Sequence, residues 1–222
     1  MHFAHPRAYC IRCRFRREVC LCAATRQAAA DLRLVVVLHA VEERKMSNTG
    51  HLAALALADV RMAVHGHRHQ AVDLTELRDA HAPDGRPWRN LLLFPGLGAE
   101  PLDASAVAAL RSPDHKLRLI VPDGTWSQAR RMVRRLPELA ALPRYTIPCG
   151  AAWASRTALR PRGNPEPSRV STCEAIATAF GLLGEPDAEQ ALQEVYDAAA
   201  LRIAMMRGKV PVREHRDLIV GV

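Results

Sequence analysis

Strands and helices alternate along this 222-residue chain, which predicts an α/β domain built on a largely parallel sheet flanked by helices. Three observations carry that expectation. Short apolar runs such as Val35-Val36-Val37 and Leu91-Leu92-Leu93-Phe94 recur, and each is too brief for a helix. Stretches with helical spacing and capping residues separate them. Before the first run, four of the six cysteines crowd into a polar segment of their own.

That segment holds Cys10, Cys13, Cys20 and Cys22 as C-x2-C and C-x-C pairs. Two close thiolate pairs on opposing turns can place four sulfurs tetrahedrally around Zn²⁺, and four thiolates leave no open position for catalysis. Metal ligation would then supply the folding energy of so short a stretch. A disulfide pair or simply buried thiols are the competing readings. The neighbours Arg12, Arg14, Arg16, Arg17 and Glu18 are either an RNA contact or a solvated surface. Cys149 and Cys173 stand alone and read as packing residues.

Residues 32–38 read as a buried strand and 39–47 as a polar loop, after which Asn48-Thr49 can cap a helix over 52–57. Residues 60–64 form a second candidate strand. Residues 78–90, with Pro83-Asp84-Gly85 and Pro87, read as a loop, and 91–94 as a third strand stopped by Pro95-Gly96. A helix is expected over 104–110, a fourth strand over 117–121, and a helix from Ser127 to about Leu136. Residues 156–167 are a Pro/Gly/Arg-rich loop. Ser171 with Glu174 three residues on is a capping box opening the next helix, and 187–206 is a long amphipathic helix.

The net charge of +8 and a sequence pI of about 9.7 point to an acidic partner, nucleic acid or a negative membrane surface. No apolar run approaches the ~20 residues of a spanning helix, and the N-terminal residues lack a hydrophobic signal core. A cytoplasmic protein without a membrane partner is therefore expected, with its cysteines reduced or metal-bound.

Ligands of open α/β sheets gather beyond the carboxyl ends of the strands, where three segments fall: 39–49, 94–98 and 122–126. Asp123 lies at a strand-to-helix turn beside Gly124, Thr125 and Trp126. Alone, this fits an N-cap aspartate with a core tryptophan better than a reactive carboxylate.

Taken together, the segments resemble one family. Asp123-Gly124-Thr125-Trp126, followed by Ala129-Arg130-Arg131-Met132, resembles the D-x-T-W signature of the DTW-domain family, the tRNA-uridine aminocarboxypropyltransferases. The cysteine pairs resemble its zinc knuckle. His39-Ala40-Val41-Glu42 with Asn48-Thr49 resembles its H-P-x-E…N-T segment, with Ala40 where proline is usual, and Ser171-Thr172-Cys173-Glu174-Ala175 resembles its S-T-x-E-A segment. The resemblance runs from about Cys10 to Phe180.

It implies a SPOUT-like fold with a C-terminal trefoil knot, a zinc knuckle over residues 1–30 and a catalytic domain over 31–222. It also implies S-adenosylmethionine as donor of an aminocarboxypropyl group to a uridine of tRNA. Asp123 is then the candidate base that takes the imide proton, its pKa raised by partial burial beside Trp126, or else a cofactor anchor. Phe94, Pro95, Gly96, Thr125, Trp126, Ser171 and Thr172 are candidate cofactor contacts. His39, Glu42, Asn48 and Thr49 would shape the pocket, and Glu174 is read as a cap. Arg130, Arg131, Arg134 and Arg135 share a helical face where like charges repel, so a phosphate counter-charge is expected; Arg156 and Arg160 extend that basic surface. A solvated face is the alternative. Rival functions are a SPOUT-like methyltransferase using the same cofactor and a non-enzymatic zinc-containing RNA-binding protein. The chain is open to being a monomer or a homodimer.

Overall fold

A computed structural model describes residues 8–43, 45, 48–148 and 170–208. Six strands, β1 (Leu32–His39), β2 (Val60–His65), β3 (Trp88–Leu93), β4 (Glu100–Pro101), β5 (Lys116–Asp123) and β6 (Arg144–Thr146), form one sheet in the order β2-β1-β5-β3-β6-β4. Every pairing is parallel, from β1 on β2 to β4 on β6. The helices are α1 (Ala53–Ala56), α2 (Ala104–Leu110), α3 (Trp126–Arg135), α4 (Pro137–Ala140), α5 (Thr172–Leu182) and α6 (Pro186–Met206). None of them is long and apolar enough to cross a membrane.

A parallel sheet is covered on both faces, which is why its central strands are apolar throughout rather than alternating. Side chains nevertheless sort by parity. Leu34, Val36, Leu91, Leu93, Leu119 and Val121 face a core shared with α1, α5, α6 and the N-terminal residues Cys13, Phe15, Val19 and Leu21. Val35, Val37, Leu92 and Ile120 face a second core with Ala129, Met132 and Val133 of α3 and Leu139 of α4. The cysteine segment is thus packed on the first face.

Several boundaries differ from the sequence expectation. Trp88, Arg89 and Asn90, assigned to a loop, lie in β3, because they extend the pairing with Lys116, Leu117 and Arg118 of β5. The helix expected over 52–57 is one turn of α-helix preceded by a 3₁₀ turn over Gly50–Leu52. Asn48 caps that turn, accepting from the His51 N–H at 3.2 Å, while the Thr49 hydroxyl accepts the Cys173 N–H at 3.3 Å. β5 runs two residues past its expected end, through Pro122 to Asp123, held by the Leu38–Asp123 register with β1. The loop at 156–167 and Cys149 lie outside the described residues; Cys173 is fully buried, as a packing residue should be.

Candidate active site

Asp123 is the last residue of β5 and follows the parity of Leu119 and Val121, so its carboxylate turns to the face that carries α5 and the cysteine segment. It is only 3% exposed. The Thr172 hydroxyl donates to its Oδ1 at 2.6 Å and the Asn48 amide donates to Oδ2 at 2.5 Å. Burial raises its pKa above the ordinary carboxylate range, and Glu42 adds to the rise; the Thr172 and Asn48 bonds and the Arg14 charge oppose it without cancelling it.

A glycine explains how a carboxylate fits there. A Cβ at Gly50 would overlap the Asp123 carboxylate itself, so only glycine lets the 48–50 turn close over it. The turn is tied down behind by His51, whose Nδ1 lies 2.7 Å from the Asn48 carbonyl and whose Nε2 lies 3.2 Å from the Cys13 carbonyl. Burial, then the Arg14 charge, lowers the His51 pKa to about 4, so its ring is neutral.

Two expectations about this turn need correction. Asp123 does not cap the following helix: Thr125 does, in a capping box with Gln128, which satisfies the N-terminal donors and frees Asp123 for other partners. Nor does Trp126 bury Asp123. Trp126 opens α3 on the opposite face, is 56% exposed, and meets Phe94 at 5.3 Å between ring centroids and Arg130 at 6.0 Å.

The residues singled out in the sequence therefore form two groups. Asp123, Asn48 and Thr172 are directly bonded. Ser171 caps α5 in a reciprocal box with Glu174, Thr49 braces the same helix through Cys173, and Glu42 is buried and bonded to Lys45 at 2.6 Å. Phe94 and Trp126 form the second group, beside exposed Pro95 and Gly96. His39, at the end of β1, stands between them: a Cβ at Gly124 would come within 3.3 Å of its Cβ, and its ring meets His65 at 6.4 Å. Burial and then His65 lower its pKa. Arg130, Arg131, Arg134 and Arg135 are all exposed, and none has an ion pair among the described residues. Arg156 and Arg160 lie outside the described residues.

Gly50, His51 and Arg14 carry no motif that marks them for this site. Arg14 is the sole non-glycine residue with a positive φ among the described residues, at 66°, and its buried Nη1 has no hydrogen-bond partner among them. Its charge is felt by Glu43 and Asp123.

The cysteine centre lies next to this turn. All four sulfurs lie within 4.8 Å of one another, with Cys10–Cys22 and Cys13–Cys20 separations of 3.6 Å. A disulfide needs ~2.0 Å, whereas a tetrahedron with ~2.3 Å Zn–S bonds sets its sulfurs ~3.8 Å apart. The Leu21 N–H points at Cys13 Sγ at 3.5 Å. Burial works against the Cys10 thiolate, but the Cys13 and Arg12 backbone N–H groups outweigh it and bring that thiol to about 7. Burial and the bond to Cys10 push Cys22 the other way. Four sulfurs that cannot all ionise side by side unaided are the donor set a divalent zinc ion satisfies.

A buried carboxylate with a raised pKa thus stands at the carboxyl edge of an all-parallel α/β sheet, with a four-cysteine centre packed on the same face. The chain belongs to the DTW domain family, whose pattern matches residues 7–204. It is 30% identical over 183 residues to a mouse (Mus musculus) protein named tRNA-uridine aminocarboxypropyltransferase 2, covering 81% of this chain and 58% of that one. It is 32% identical over 130 residues to the macaque (Macaca fascicularis) protein of the same name, covering 57% of this chain and 41% of that one. The chain thus spans about half the length of these relatives. No solved structure matches it.

Proposed function

We propose that this protein transfers the 3-amino-3-carboxypropyl group of S-adenosylmethionine to the imide nitrogen of a uridine in tRNA. The observation that carries the reading is Asp123: a buried carboxylate with a raised pKa, standing first in the family's signature and held by two neutral donors. The relatives' names supply the substrate class. In the same reading the fold is SPOUT-like with a C-terminal knot, residues 1–30 are the zinc knuckle and 31–222 the catalytic domain.

The residues present suit the donor. The exposed face of Trp126, backed by Phe94, offers an aromatic wall for an adenine, with Pro95 and Gly96 at its rim and open space where a Gly96 Cβ would stand. Thr125 and Ser171 cap α3 and α5 there and Thr172 opens α5, offering hydroxyls to the donor, and Arg14, whose buried Nη1 has no hydrogen-bond partner among the described residues, has the charge a carboxylate tail needs. When bound, S-adenosylmethionine supplies an electrophilic methylene on a sulfonium and a neutral thioether leaving group, methylthioadenosine.

Asp123 accepts the imide proton as the ring nitrogen forms its new bond to carbon, and the carbon–sulfur bonding pair returns to sulfur. A carboxylate with a raised pKa is a stronger base than one in water, which suits a weakly acidic imide. Thr172 and Asn48 fix the direction of its lone pairs. The four exposed arginines of α3 hold the RNA backbone.

Purified protein incubated with unmodified tRNA and S-adenosylmethionine should release methylthioadenosine. Release of S-adenosylhomocysteine would instead identify a methyltransferase, and tRNA binding without either product a non-enzymatic RNA-binding protein.

A further inference from the structure

His51 has no part in the transfer described above, yet it is buried to 4% exposure between the cysteine centre and the reaction site. Its neutral ring has a single N–H, which donates from Nδ1 to the nearer Asn48 carbonyl at 2.7 Å, while Nε2 packs against the carbonyl of a cysteine-centre residue, Cys13, at 3.2 Å. Its backbone N–H donates to Asn48 Oδ1 at 3.2 Å. That bond decides which end of the Asn48 amide faces Asp123, because the oxygen is already engaged and only the nitrogen is left to donate to the carboxylate at 2.5 Å. The path from Cys13 to Asp123 therefore contains no step longer than 3.2 Å. Arg14, next to Cys13 in the same turn, adds a through-space link, since its charge acts on Asp123. A free-standing metal module would leave neither link.

We propose that His51 is a positioning residue that couples the metal-loaded cysteine knuckle to Asp123 through Asn48. The inference rests on Asp123 being the site's carboxylate. With the knuckle closed, the His51 ring holds the 48–50 turn against Asp123; with the knuckle open, the ring loses its outer support and the Asn48 amide is released. Asp123 would then keep one donor, Thr172, with Glu42 and Arg14 as the charged groups facing it, and its proton would be harder to remove.

The test uses the full-length, zinc-loaded protein with His51→Phe, which keeps the ring but no polar edge, and His51→Asn, whose amide can still donate to the Asn48 carbonyl. His51→Phe should retain zinc and keep KM for both substrates within about threefold. Its kcat should fall by about 10–100-fold, the usual loss for outer-shell partners, and the acid limb of its pH–rate profile should move to higher pH. His51→Asn should restore most of kcat and return the limb. Independently of turnover, the ¹³C titration of the Asp123 carboxyl should move to higher pH in His51→Phe and in wild-type protein stripped of zinc by a chelator. An Asp123 titration identical in all three would overturn the proposal even if wild-type protein makes methylthioadenosine. If the titration shifts but wild-type protein makes no product, the coupling stands and the proposed reaction falls. Should His51→Phe not fold, the titration of zinc-stripped wild-type protein decides by the same criterion: a shift supports the coupling, and no shift overturns it.

Discussion

The two edges of the sheet use the same residue types to opposite ends. At the amino edge, Asp31 lies between Arg86, at 2.7 Å, and Lys116, at 3.4 Å, and Arg86 also holds Asp84 at 2.8 Å. A cavity of about 330 Å³ opens there, lined by Asp31, Arg86, Arg111, Ser112, His115 and Leu117. Its charges are already spent on each other, with Arg111 bound to Glu185 at 3.0 Å. At the carboxyl edge Asp123 has neutral donors and no ion pair among the described residues. The Arg86 bond holds the Asp31 pKa low, whereas burial drives that of Asp123 up. Chemistry favours the carboxyl edge, because a carboxylate neutralised by arginine has little proton affinity left, and one held by hydroxyl and amide keeps it.

The sharpest way to break this comparison is Asp123→Asn. Turnover should fall by ~10²–10⁴-fold, the usual worth of a general base, while tRNA affinity in a filter-binding assay stays within about threefold. Full activity would remove Asp123 from the mechanism. The same substitution tests the sign of the pKa shift. A carboxyl whose folded pKa is raised adds stability below its unfolded range, and that contribution is lost as pH rises through the folded value. Urea midpoints of wild-type protein should therefore fall, relative to Asp123→Asn, as pH rises from the ordinary carboxylate range toward neutrality.

Gly50→Ala comes next in size. The added methyl cannot coexist with the Asp123 carboxylate in its present place, so turn or carboxylate must move. Overpacking of this kind costs ~1–3 kcal/mol, and displacing the base by a fraction of an ångström should lower kcat by about tenfold or more. A thermal melt and a steady-state assay measure the two effects separately. An unchanged kcat would mean that the closeness of the turn to Asp123 serves folding only.

How far the sequence reveals this contrast depends on the range of the interactions. The strands around Val35-Val36-Val37 and Leu117–Val121 are legible because burial on both faces makes them apolar without interruption. The two-residue β4, the three-residue β6 and the four-residue α4 are too short to carry any period. The α5 capping box is legible because its partners lie three residues apart; the Thr125–Gln128 box on α3 has the same spacing, but the neighbouring Asp123 competes with it for the role of cap. Asp123 stands out through its turn and its resemblance, but its partners lie 75 and 49 residues away, at Asn48 and Thr172. Nothing local distinguishes Gly50 or His51, because the first is fixed by what packs on it and the second by a carbonyl 38 residues away. The false expectation that Trp126 buries Asp123 has a similar root: the two are close in sequence, but the chain passes to the other face of the sheet between them.

Arginines repeat the contrast on a smaller scale. Arg86 is enclosed by carboxylates, while Arg134 and Arg135 on α3 have none among the described residues. Replacing both α3 residues by alanine should weaken tRNA binding without changing the fold. The slope of log affinity against log salt should fall by ~1 per arginine that contacts a phosphate. An unchanged slope would mean that this face is simply solvated.

Asp31→Asn should have the smallest effect, and its size is what the contrast between the edges requires. Asp31 is half-exposed, so solvent and salt screen its ion pairs, and a surface pair of this kind contributes ~0–1 kcal/mol. In a chain of this length that corresponds to a Tm change of no more than ~4 °C. Because its folded pKa is lowered, Asp31 adds stability above its unfolded range and loses it as pH falls through the folded value. The difference between wild type and Asp31→Asn should therefore shrink on acidification, the reverse of the trend expected for Asp123, and kcat should not change. A large loss of turnover in Asp31→Asn would show that the amino-edge cavity takes part in the reaction, and the ranking of the two carboxylates would have to be inverted.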